Sequence, residues 1–176
     1  ICAGTLTAQS GDWIPETVPA AKGGARQIVP TAYKIFALNQ NSFRKKISSA
    51  PLETVQSLSQ GGDVIELPLP NGSIQKFRVV ESPIMEKPLQ EAFPNIRTYS
   101  LKGMDDVTAC GKADWNEFGF HASVRSIHGD FFIDPFSVGN TTDYISYYTR
   151  DFVKDAKAVR PESDVRIKNT ERIVKN

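Results

Sequence analysis

The chain has 176 residues, 40% of them hydrophobic and 23% charged, which suits one folded domain with tails and excludes wholesale disorder. Lys and Arg number 21 against 20 Asp and Glu, so no global field exists to draw nucleic acid or an anionic membrane. No apolar run reaches the ~20 residues of a membrane-spanning helix, and two cysteines are too few for a disulfide framework.

The opening segment Ile1 to Gln9 is small and uncharged, and Leu6-Thr7-Ala8 has the small-x-small form of a signal-peptidase site, which predicts export. Gly11, Pro15, Pro19, Gly23 and Gly24 then predict an extended leader, so residues 1–27 read as signal remnant and flexible linker. From Ile28 the chain becomes β-rich. A strand is predicted around Tyr33 to Leu38, followed by a short helix capped by Ser42, with Phe43 and Ile47 on one face. Val64 to Val80 reads as a β-hairpin closed by Asn71-Gly72 in a type I′ turn, with Pro68 marking an edge or a bulge. Met85 to Phe93 predicts a brief helix. Strands are expected at Ile96–Leu101 and Thr108–Trp115, then at Phe118–Arg125 and Asp130–Pro135 around a turn at Ile127-His128-Gly129, and last at Tyr144–Thr149. Short strands with repeated turn signals predict a mainly β fold, either an antiparallel sandwich or a strongly curved sheet with one or two short helices. Residues 28–153 form that domain, and 154–176 read as a charged connector leading to a further domain.

Chemistry-bearing motifs are scarce. There is no H-E-x-x-H helix, nucleophile elbow or phosphate loop, and with His121 and His128 the only histidines no zinc ligand set lies within the chain. His121, beside Phe118 and Phe120, reads as a structural histidine, and His128 as a turn residue. Asp105, Asp106, Asp114, Asp130 and Asp134 lack the spacing of a calcium loop and read as turn formers, Asp134-Pro135 ending a strand. Cys110 has two readings: a thiolate able to occupy the open position of a protease's catalytic zinc, or a small hydrophobe buried in a strand, which is the usual fate of an isolated cysteine. Asn71-Gly72-Ser73 and Asn140-Thr141-Thr142 match the glycosylation sequon of a eukaryotic secretory host.

Several segments in order resemble a known pattern: Glu66 to Ser73, Glu81-Ser82-Pro83-Ile84-Met85, Phe93 to Tyr99, Phe118-Gly119-Phe120-His121-Ala122, Phe132-Ile133-Asp134-Pro135 and Tyr144-Ile145-Ser146-Tyr147-Tyr148. Between Val64 and Phe152 the chain is similar to the N-terminal pro-region of bacterial secreted metalloproteases of the reprolysin-like, metzincin type. The resemblance implies a non-catalytic prodomain that assists folding of a downstream zinc protease, keeps it latent and is removed on maturation. The zinc belongs to that protease domain, which is the implied partner. In animal relatives the latency cysteine sits near the protease boundary in a Pro-Lys-x-Cys-Gly-type motif. Here Cys110-Gly111 follows Thr108-Ala109 well upstream, so the better match for Cys110 is a sheet cysteine in the prodomain core. The competing reading is a cell-surface binding or adhesion module using Trp115, Tyr144, Tyr147 and Tyr148 as a platform. A small hydrolase built on His121 and an aspartate lacks a nucleophile.

Overall fold

The computed structural model describes residues 11–20 and 24–152; the signal-like opening, Cys2 and the charged connector lie outside the described residues. Alternating apolar and polar residues produce β1 (Trp13–Glu16), β2 (Lys34–Leu38), β3 (Asp63–Pro68), β4 (Ile74–Glu81), β5 (Arg97–Gly103), β6 (Cys110–Asn116), β7 (Gly119–Arg125), β8 (Phe131–Pro135) and β9 (Asp143–Tyr148). They join in one antiparallel sheet ordered β1-β2-β9-β8-β7-β6-β5-β4-β3. From β3 to β9 each strand pairs with the next, and β2 and β1 extend the meander beyond β9. The sheet curls strongly into a half-barrel, so the curved-sheet alternative describes the fold and the sandwich does not.

One side chain in two from each strand points into the curl. Ile65, Leu67, Phe77, Val79, Leu101, Phe120, Val124, Ile133 and Tyr144 are buried there. Into the same space α1 (Gln40–Ser48) inserts Phe43 and Ile47, which are four apart and fully buried. Phe43 packs edge-on against Trp13 and Phe120, with centroids 5.4 and 4.9 Å away. The cap of α1 is Asn39 rather than Ser42: the Asn39 side chain accepts the Ser42 N–H at 3.3 Å. A second helix, α2 (Lys87–Ala92), buries no residue and lies outside the core. No helix among the described residues is long and apolar enough to cross a membrane.

The stretch read as a flexible leader supplies the edge strand β1, and Trp13 within it is only 2% exposed. Its indole Nε1–H donates to Glu66 O at 2.7 Å, and Ser146 Oγ–H donates to Pro68 O at 2.9 Å. Two carbonyls along β3 are thus satisfied by side chains, which ties one side of the curl to the other without a strand ladder. Both Pro68 and the position of β3 at the end of the sheet agree with its expected edge role. The β3–β4 turn is longer than a type I′ hairpin. Gly72 alone has positive φ, +94°, its N–H donates to Leu69 O at 2.9 Å, and Pro70 takes the second position of that turn.

Outside the curl, Ile35, Ile145 and Tyr147 form a smaller apolar cluster with Tyr33, Phe132 and Phe152 packed on it. The segment after β9 returns over this cluster, and Thr31 N–H donates to Asp151 O at 2.8 Å. The outer face of β4 to β8 carries most of the polar side chains discussed below.

Candidate functional site

Two neighbouring parts of the outer face hold the chemistry. The first centres on Cys110, the first residue of β6. Ala109 and Ala113 are buried, so alternation turns Cys110 outward, and its thiol is exposed. The expectation of a core cysteine is therefore corrected: the residue type favoured burial, but its strand parity points it to solvent. Cys110 faces Lys102 of β5 on one side and Arg125 of β7 on the other. A groove of about 430 Å³ runs beside it, lined by Glu53, Leu58, Lys112, Ser123 and Arg125.

The second part is a polar chain across β6, β7, β8 and β9. His121 Nδ1 and Asp134 Oδ1 are 2.8 Å apart, and Tyr147 donates its phenolic O–H to Asp134 Oδ2 at 2.8 Å. Asp114 is the cross-strand partner of His121 and accepts the Asn116 amide at 2.8 Å. Burial alone would lower the His121 pKa. The hydrogen bond and charge of Asp134, with the charge of Asp114, outweigh it and hold the imidazole above its ordinary value. Desolvation pushes Asp114 up, and desolvation together with Asp134 pushes Tyr147 up. Asp134 fixes the histidine ring while accepting a buried phenol, an arrangement that gives His121 a defined orientation. A groove of about 310 Å³ that Ile84, Thr98 and Phe132 help to line opens beside Asp114 and His121.

His121 is thus partnered by Asp134 and lies at the side of that groove. Asp134 is more than a turn former, because its carboxylate ties two strands together. The hairpin could have exposed this pair: with the turn centred on Ile127 and His128, His121 and Asp134 fall opposite one another. Asp106 and Asp130 bond locally, accepting the N–H groups of Thr108 and Ser126, whereas Asp105 accepts the N–H of Lys76 on β4 and so ties its loop to a distant strand. Two hydroxyls, from Ser126 and Thr108, lead the causes that hold Asp106 down at about 2. His128 is exposed and takes Ser126 Oγ on its backbone N–H at 3.1 Å. Among the described residues no cluster of three or more His, Cys, Asp or Glu is placed to hold a metal ion.

Of the four aromatics of the platform reading, Trp115, Tyr144 and Tyr147 are buried. Tyr144 lies in the curl, its hydroxyl accepting the Phe120 N–H at 3.2 Å, and burial raises its pKa to about 12. Only Tyr148 is partly exposed, with Arg150 stacked 4.1 Å from its ring centre. No family model, curated protein or solved structure matches the chain.

Proposed function

We propose that this domain is the pro-region of a secreted, reprolysin-like zinc metalloprotease, assisting its folding and holding it latent until cleavage. The observation that carries the reading is where the residues of the resemblance fall. Glu81, Arg97, Phe120, His121, Asp134, Tyr144 and Tyr147 all belong to the resembling segments, and they bond to one another across strands. Arg97 pairs with Glu81, His121 and Tyr147 meet on Asp134, and Tyr144 receives Phe120. The resembling segments thus fall on groups that tie β4 to β9 together, and this supports the reading.

Within this reading Cys110 acts from an accessible position, which a zinc-blocking thiol requires. The test is to titrate the chain against the zinc protease encoded in the same reading frame, comparing the wild type with Cys110→Ser at matched folding. Inhibition that disappears in the variant assigns latency to the thiol, and equal inhibition assigns it to steric cover. A reading frame without an H-E-x-x-H zinc helix, or a protease that neither folds better with the chain nor is inhibited by it, sinks the proposal.

A further inference from the structure

On the outer face the register lines up Arg78 of β4, Lys102 of β5, Cys110 of β6 and Arg125 of β7 as successive cross-strand partners. Lys112 stands two residues along β6 on the same side and donates to Ser100 Oγ at 2.6 Å and Ser82 Oγ at 3.3 Å. The ion pairs among the described residues are Lys46–Asp12, Arg97–Glu81 and His121–Asp134, so none engages these four cations. Of the nearby acids, Glu53 lines the groove beside Cys110, while Asp105 and Asp106 are occupied by backbone and hydroxyl donors at the strand end. Like charges set directly opposite on a sheet, as Arg78 and Lys102 are, repel each other. In a chain whose net charge is only +1, four unpaired cations on one face mark a local field rather than an overall basic character.

An apolar floor lies beside this row. A second groove of about 300 Å³ joins Leu58, Met104 and Val107 to Arg78 and Lys102, and both Met104 and Val107 are well exposed. Charge and apolar surface interleaved in this way match a protein interface with a hydrophobic centre and a charged surround. A polyanion tracked by phosphates or sulfates needs only the cations.

We infer that this face docks an acidic polypeptide surface: carboxylates of the partner pair with Arg78, Lys102 and Arg125, and an apolar side chain seats against Leu58, Met104 and Val107. The inference goes beyond the pro-region reading and holds whatever the partner's activity.

The probe is a fluorescein-labelled peptide of Glu interspersed with Leu, followed by anisotropy with the full chain; heparin and a Glu-only peptide serve as comparisons. Binding of the Glu/Leu peptide is expected to weaken by on the order of tenfold in Arg78→Glu/Lys102→Glu. It is also expected to weaken in Met104→Ser/Val107→Ser and as salt rises from about 0.05 to about 0.3 M. Lys34→Glu/Lys45→Glu, which changes exposed lysines elsewhere, should leave it intact. Arg78→Gln/Lys102→Gln relieves repulsion, so it should lose the peptide while melting no lower than the wild type, which separates lost docking from lost folding. Equal binding by the charge-reversed protein, or equal loss in the Lys34/Lys45 control, overturns the inference. So does tight heparin binding that ignores Met104 and Val107, since that describes a polyanion surface.

Discussion

A single proton on His121 links this outer face to the stability of the sheet. In the folded state the pKa of His121 is raised: burial opposes its charge, but Asp134 and Asp114 together favour it. The folded chain therefore holds that proton more tightly than the unfolded chain does. The stabilisation is complete below about pH 6.5, the ordinary histidine value, and is lost as pH rises through the higher folded pKa. Asp114 works in the same direction, because desolvation favours its protonated form in the folded state and stability falls as it ionises. The wild-type Tm should consequently fall between about pH 6 and pH 8, where histidine titrates, and His121→Gln should flatten that part of the profile. Thermal melts at several pH values check this, and an unchanged slope in the variant removes His121 as its origin.

At the scale of elements, the hairpins were the legible part of the sequence and the long-range ties were not. Asn71-Gly72 and the Ile127-His128-Gly129 turn are local signals, and the alternating residues around them place β3, β4, β7 and β8 within a residue or two of where they lie. By contrast, the N-terminal stretch shows four residues of strand among glycines and prolines, and only its pairing with β2 and the burial of Trp13 make it part of the sheet. Residue type alone places Cys110 in the core, and only strand parity turns it outward, while the Asp134 junction has no local signal because it joins residues of β7, β8 and β9. The close approach of β6 to β7 at Gly111 was equally invisible. Its φ lies outside the left-handed region, so any residue could adopt the backbone, yet a Cβ there would come within 2.3 Å of Ser123 O and 3.0 Å of Val124 Cα. Backbone cannot swing aside as a side chain can. Gly111→Ala should therefore cost about 1–3 kcal/mol, the range of an overpacked core, and act by prising β6 from β7. Urea unfolding measures the cost, and a variant as stable as the wild type would show that the two strands have room to part.

For the molecule as a whole, the decisive question is how an open sheet keeps its curl. A half-barrel has two edges, and here β1 and β3 are those edges: the indole of Trp13 on Glu66 O joins them directly, and the hydroxyl of Ser146 on Pro68 O ties β3 to β9 across the curl. Trp13 also meets the rings of Phe43 and Tyr144 edge-on, both at 5.4 Å, so one side chain joins the helix, the far strand and the edge. Removing it opens a large cavity and releases a carbonyl at once. Trp13→Ala should destabilise the fold by about 3–5 kcal/mol, the cost typical of a buried aromatic. Trp13→Phe keeps much of the packing but cannot donate to Glu66, so its loss should be smaller and concentrated at the seam. Hydrogen exchange separates the two effects. In Trp13→Phe the amides of β3 should exchange faster while those of β6 and β7 stay protected, because the edge loosens before the centre of the sheet. A freed β3 is also an unpaired edge able to accept a strand from a second molecule, so the same variant should self-associate as concentration rises. Uniformly faster exchange across all strands, with no self-association, would mean that Trp13 serves the core alone and that the curl is held by the meander itself.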